Sequence, residues 1–272
     1  MNNLAYANEL ASRAAALIGR PEKCPGAGRE LKCGLDLGTA YIVLAVLDES
    51  DSPVACETRF ASVIKDGLVV DYFGTLEIVK ELKAKIEAGT GQELRRAAIA
   101  MPPGTGTNFR THKYIAEGAG FEVTNILDEP TAANAALRVR NGAVVDIGGG
   151  TTGYAVFADG KVAKVGDEPT GGTHLSLVIA GNRGIPFDEA EDYKKDSRNH
   201  RALFPVVRPV IEKMATIVKK GIEGYGVDTL YLCGGTCMLA GVGEVFESVC
   251  GLPARVPEHP MLITPLGIAL CS

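Results

Sequence analysis

Two short stretches hold the residues of this chain best suited to chemistry. "KCGLDLGTAYIVLAVLD" (residues 32–48) and "AVVDIGGGTTGYAVFAD" (residues 143–159) share one plan. Each runs an apolar strand into Asp, an apolar residue, Gly and Thr, and then into a second strand. Glycine lets backbone N–H groups approach an anion with no Cβ in the way, and successive amides in a turn form an anion-binding concavity. Gly38, Gly148, Gly149 and Gly150 suit that role, and Thr39, Thr151 and Thr152 add hydroxyl donors. Asp36 and Asp146 would repel a polyphosphate unless a divalent cation stood between. Magnesium keeps several waters and touches few protein carboxylates, which matches one aspartate per turn. Either turn alone is only a turn; the pair reads as two halves of a polyphosphate–Mg²⁺ clamp.

The elements around the clamps repeat as well. A third strand follows each pair ("PVACET", "KVAKVG"), then a helix: Leu76, Val79, Leu82 and Ile86 recur at helical spacing in one half, and Val207, Val210, Ile211, Met214 and Val218 in the other. Next come "AAIAMPPGTG" and "TLYLCGGT", another helix, a strand ("FEVTNIL", "ARVP") and a last helix begun by proline ("EPTAANAAL", "TPLGIAL"). The order β-β-β-α-β-α-β-α thus appears twice, and the expected fold is α/β, two similar domains of mixed sheet with helices on the faces and a cleft between.

Composition narrows the partners. Lys+Arg number 28 against 33 Asp+Glu, and the net charge of −5 argues against nucleic acid or an anionic membrane as partner. No apolar run approaches the roughly 20 residues that span a bilayer, and the start lacks the pattern of a secretory signal. Seven scattered cysteines read as reduced, cytosolic thiols, with Cys233 and Cys237 a buried pair and not half of a metal site. His112, His174, His200 and His259 form no pattern; His174 could border the phosphates or merely be solvated, and "MPPGTG" could close one cleft edge or only turn the chain.

"GLDLGT", "DIGGGTTG", "EPTAA", "LCGGT" and "TPLGIAL" resemble, respectively, the phosphate-1, phosphate-2, first connecting, adenosine and second connecting motifs of the actin and Hsp70 superfamily of ATP-binding proteins, across residues 34–269. The resemblance implies the actin/Hsp70-like ATPase fold: two duplicated RNase H-like domains, each a mixed five-stranded sheet flanked by helices, around a nucleotide cleft. It assigns residues 31–138 with 258–272 to lobe I and 139–257 to lobe II. It implies ATP or ADP with Mg²⁺, the cation held through Asp36 and Asp146. It places Gly38, Thr39, Ala40, Gly148, Gly149, Gly150, Thr151 and Thr152 at the phosphates, and Gly234, Gly235 and Thr236 beneath the adenosine. Glu129 matches the glutamate that positions water near the γ-phosphate, with Thr151 assisting. Glu191 and Lys194 match a ribose–adenine pair, or form an exposed helical ion pair.

"VIKDGLVVDYFG", "LDEPTAANA", "GGTHLSLVIAGNRGI" and "EAEDYKK" are similar to the ethanolamine-utilisation members of that superfamily. This implies a cytoplasmic protein in a bacterial microcompartment setting, with a partner among the ethanolamine-utilisation enzymes or shell proteins. The departures matter too. Ala40 stands where Hsp70 has a second threonine, and Gly153 where it has an aspartate, which removes one carboxylate from around the metal. No equivalent of the Hsp70 catalytic lysine is legible, and no peptide-binding domain follows. Residues 1–30 read as a helix, with Leu4, Ala7, Ala11, Ala14, Leu17 and Ile18 on one face, and a linker, "GRPEKCPGAGRE". That helix either packs on its own first domain or serves as an encapsulation segment. The expected function is a nucleotide-switched, chaperone-like or assembly factor with at most slow ATP hydrolysis. The alternatives are a non-hydrolysing scaffold, a reactivating factor for a cobalamin-dependent ammonia-lyase, and, less suited to Glu129, a small-molecule kinase.

Overall fold

The computed structural model describes residues 3–24, 30–104 and 109–272. Two five-stranded sheets carry the duplication. In the first, β1 (Lys32–Leu37), β2 (Tyr41–Leu47), β3 (Pro53–Phe60), β6 (Arg96–Met101) and β7 (Glu122–Asp128) lie in the order β3-β2-β1-β6-β7. In the second, β8 (Gly142–Ile147), β9 (Thr152–Ala158), β10 (Lys161–Glu168), β11 (Leu230–Cys233) and β12 (Ala254–Arg255) take the same order, β10-β9-β8-β11-β12. The first three strands of each sheet are antiparallel and the last two join in parallel, as in the mixed sheet expected from the repeat.

The halves differ by insertions that the repeat did not show. A small hairpin, β4 (Ile64–Lys65) and β5 (Leu68–Val69), follows β3. In the second half, α5 (Gly172–Arg183) and α6 (Phe187–Lys195) precede the long α7 (His200–Ile222). Helix α7 begins before the predicted stripe and runs through Pro205 and Pro209, because Leu203, Val207, Ile211, Met214 and Val218 bury one continuous face. That burial offsets the broken backbone bonds.

The core is layered. Helices α2 (Tyr72–Thr90) and α3 (Phe109–Gly118) cover the outer face of the first sheet, while α7 and α8 (Val242–Cys250) cover that of the second. Between the sheets lie α4 (Glu129–Leu137) and α9 (Ile263–Leu270). Helix α9, last in the chain, rests on β1 and β2, whereas α4 lies against β8 and β9, so each half lends its final helix to the other's sheet. The close approach requires glycine. A Cβ on Gly34 would collide with Pro265 O and Ala269 N of α9, and one on Gly267 with Ala132 O of α4.

Helix α1 (Asn3–Ala16) buries Ala7, Leu10, Ala11 and Ala14 in that middle layer, against α4, α9 and β3. It is packed on its own protein, the first of its two expected readings. Of the expected linker, residues 25–29 lie outside the described residues. The part before them is pinned: Gly19 N donates to Cys56 O, Glu22 N to Val54 O and Cys24 N to Thr90 O. Of "MPPGTG", positions 105 and 106 also lie outside. None of the seven cysteines forms a disulfide, and among the described residues no helix is long and apolar enough to cross a membrane.

Candidate functional site

The two clamp turns meet. Asp36 is the last residue but one of β1, and Gly38, Thr39 and Ala40 lead into β2; Asp146 is the last but one of β8, and Gly148, Gly149, Gly150 and Thr151 lead into β9. A Cβ built on Gly149 would stand 2.9 Å from the Ala40 Cβ, and one on Gly150 2.7 Å from Thr39 Oγ1 and 2.8 Å from Asp66 Cα. Only glycine allows two loops from different sheets to come so near. The second turn is tightened by Gly148 N donating to Thr151 O at 3.0 Å. Its carbonyls are tied down from behind: Gly172 N and Thr173 N of α5 donate to Gly148 O and Gly149 O, and the Thr236 hydroxyl donates to Gly148 O at 2.7 Å.

Glu129 reaches the same place from α4. Asp128 caps that helix, accepting from Thr131 N at 2.9 Å, and Pro130 sits in the first turn, so the helix start is fixed at the end of β7. Asp36, Glu129 and Asp146, with the glycines of both turns, line one small cavity of about 70 Å³. A second cavity of about 330 Å³, lined by Glu191, Lys194, Thr236 and Met238 among others, shares Ala40, Tyr41, Gly149, Gly235 and Met261 with the first. One cleft therefore runs from the carboxylates to α6. Gly234, at φ 90, turns β11 beneath Asp146, where a Cβ would strike the carboxylate.

Glu191 and Lys194 are not an exposed pair. The Glu191 side chain is 8% exposed and Lys194 16%, with Nζ 2.8 Å from Glu191 Oε2 and 2.9 Å from Gly172 O. Burial works to raise the Glu191 carboxyl, but Lys194, the Ser176 hydroxyl at 2.5 Å and Lys195 hold it below its usual value. Thr152 is the one predicted contact that turns away. It is fully buried, and its hydroxyl donates to Thr170 O at 2.6 Å, on the face of β9 opposite to its neighbours. His174 lies at the start of α5, its Nδ1 accepting from Gly171 N at 3.3 Å.

The carboxylates strain against one another. Burial, then the charge of Asp146, pushes Asp36 up to about 7. Burial takes Asp146 to about 6, against the hydrogen bond from the Thr264 hydroxyl. Glu129 is pushed well above its usual value by burial and by Asp146, Asp36 and Asp167. Asp167, on β10, is raised to about 6 by burial and by Asp146, opposed by a hydrogen bond from Thr151. Among the described residues no three metal-ligating side chains are grouped as a ready-made cage.

Sequence reading missed Asp167, the α5 start at Gly171–Gly172, Thr264 and the tip of the β4–β5 hairpin. That tip presents Asp66 to Gly150 and donates Gly67 N to Thr39 Oγ1 at 3.2 Å. A "TGG" before a helical stripe was the available signal for the α5 start. Lys195, also missed, stands 3.2 Å over the Phe60 ring, which meets Tyr41 edge to face, so α6 reaches the first sheet.

Paired sheets of identical strand order, exchanging their last helices across a cleft lined by two Asp–Gly turns, define an actin/Hsp70-like ATPase fold. The family models for Cell division protein FtsA and MreB/Mbl protein match residues 143–267 and 55–181. The structure of MreB 5 of Spiroplasma citri bound to AMPPNP shares the fold at 17% identity, with a TM-score of 0.70, over 88% of this chain and 95% of its own. Two relatives are much more similar. Ethanolamine utilization protein EutJ from Carboxydothermus hydrogenoformans has a crystal structure 51% identical to this chain, with a TM-score of 0.92, over 99% of this chain and 100% of its own. Ethanolamine utilization protein EutJ of Escherichia coli K12 is 45% identical over 87% of this chain and 84% of its own length. The chain belongs to the EutJ family of ethanolamine utilization proteins.

Proposed function

We propose that the chain binds ATP with Mg²⁺ in the cleft between its sheets and uses the nucleotide to set the angle between two lobes, residues 31–138 with 258–272 and residues 139–257. It would act as a chaperone-like or assembly factor of ethanolamine utilisation, with slow hydrolysis and a partner among the enzymes or shell proteins of the microcompartment. The observation that carries this reading is the convergence of Asp36 and Asp146, from matching strand ends of two sheets, between two touching glycine turns.

The residues fit a divalent cation. Several carboxylates crowd one cleft, each raised by burial, and Asp36 and Glu129 by neighbouring charge as well, with no cationic side chain among the described residues lining the cavity they share. Asp36 and Asp146 would hold the ion through its waters, since the described residues form no protein cage. A bound magnesium supplies positive charge to phosphate oxygens. Around it, the turn amides and the Thr39 and Thr151 hydroxyls bind phosphate, Glu129 orients a water, and Glu191 and Lys194 meet the nucleoside end. Catalysis of this kind is positioning and charge stabilisation. The C. hydrogenoformans and E. coli relatives support the setting, and the AMPPNP held by the Spiroplasma MreB 5 supports the ligand class.

Thermal denaturation tests it. ATP–Mg²⁺ at roughly a hundredfold its Kd should raise Tm by about 5–10 °C, because it binds only the folded chain. Asp146→Asn should remove most of that rise without lowering the ligand-free Tm. No rise for the unaltered protein at millimolar ATP–Mg²⁺ refutes the reading.

A further inference from the structure

We propose that Asp167 is a positioning residue of this cleft: reaching in from β10, it occupies the place that Gly153 leaves bare and holds the water around the divalent cation. The inference rests on the nucleotide–cation reading above.

Asp146, Gly153 and Asp167 stand opposite one another on β8, β9 and β10. Directly opposed residues of neighbouring antiparallel strands project to the same face. The three positions therefore form a row from the cleft toward the edge of the sheet, and the middle one has no side chain. A Cβ built on Gly153 would stand 3.3 Å from Asp167 Oδ1, so the carboxylate leans over the glycine. Its register is a built feature. A bulge between Val162 and Lys164 slides β10 by one residue; without it, Gly166 would oppose Gly153 and Asp167 would turn to the other face.

The Thr151 hydroxyl, in the second clamp turn, works against the rise in the pKa of Asp167, while the Asp167 Oδ1 is buried and has no hydrogen-bond partner among the described residues. A buried carboxylate oxygen without a donor is costly and calls for a ligand or water to meet it. The charge of Asp146 raises Asp167, and that of Asp167 raises Glu129, so any water Asp167 holds lies among the groups that would surround the cation and the attacking water. Gly153 thus marks a carboxylate moved to the next strand, not one lost.

The test compares ADP affinity by calorimetry with Mg²⁺ in excess and with EDTA. The ratio of the two Kd values isolates the cation. Asp167→Asn, which keeps shape, should shrink that ratio roughly ten- to hundredfold, the usual cost of losing a group that holds a metal's ligands, with Mg²⁺-free affinity unchanged. Glu168→Gln, an exposed neighbour, should leave the ratio alone. Gly153→Asp combined with Asp167→Ala returns a carboxylate to the middle of the row and should restore it. An unchanged ratio in Asp167→Asn overturns this inference alone, as does failure of the double variant to recover while its ligand-free Tm matches the single variant's. If the unaltered protein binds no ADP under either condition, the nucleotide reading falls and takes this one with it.

Discussion

Asp36 and Asp146 hold protons more tightly in the folded chain than out of it, and that has a sign. An aspartate raised from 3.8 to about 7 is still protonated in the native state at pH values where the unfolded chain has released its proton. Stability from such a group is present below pH 4 and is lost as pH rises through 7. In EDTA, Tm should therefore fall as pH is raised from 5 to 8 by more than in Asp36→Asn, where one acid of the group is gone. Proton release measured on unfolding should be smaller in the variant in the same window. A steeper fall in the variant would show that the repulsion is not where the geometry puts it.

Helices α4 and α9 form the contact on which both sheets rest. Burying Ala132, Ala133, Ala136, Leu266 and Ala269 between the sheets leaves little side chain at the crossing, so backbone meets backbone. The atom nearest a new methyl group at Gly267 is a carbonyl oxygen, which cannot swing aside as a flexible side chain would. Gly267→Ala should cost about 1–3 kcal/mol or more through overpacking. Gly181→Ala, in α5 with open space around the same addition, should instead gain up to about 1 kcal/mol from helix propensity. Urea denaturation reads both signs. If Gly267→Ala is neutral, the helices do not cross as closely as the structure has them.

At the scale of the whole molecule, contacts among the described residues bridge the mouth of the cleft. The clamp turns touch, Asp66 meets Gly150, and Lys195 lies over Phe60. Each sheet supplies one clamp, so a triphosphate should favour the closed arrangement more than a diphosphate, by its differential affinity alone. Small-angle scattering should show a smaller radius with ATP–Mg²⁺ than with ADP. Lys195→Ala removes a cation–π contact of about 0.5–2 kcal/mol and should shift the nucleotide-free protein toward a more open profile. Identical profiles for all these states would make the protein a static scaffold.

What was legible in the sequence is local. Asp-apolar-Gly-Thr after an apolar strand, the stripe of α2 and the proline-started α4 depend on residues a few positions apart, and short-range sterics decide them. The doubled order of elements then made two sheets and a cleft legible. Tertiary structure alone decided which side chains enter that cleft. Thr151 and Thr152 look equivalent as letters, yet the pleat turns one in and the other out. Likewise, the stripe of α1 shows an apolar face, but only the gap beside α4 and α9 shows what it covers. Gly153 announces a missing carboxylate. The answer to it lies fourteen residues on, and one bulged residue in β10 decides whether it faces the cleft. Register across strands arises from pairing between distant backbone groups, and side-chain period within one strand carries no trace of it.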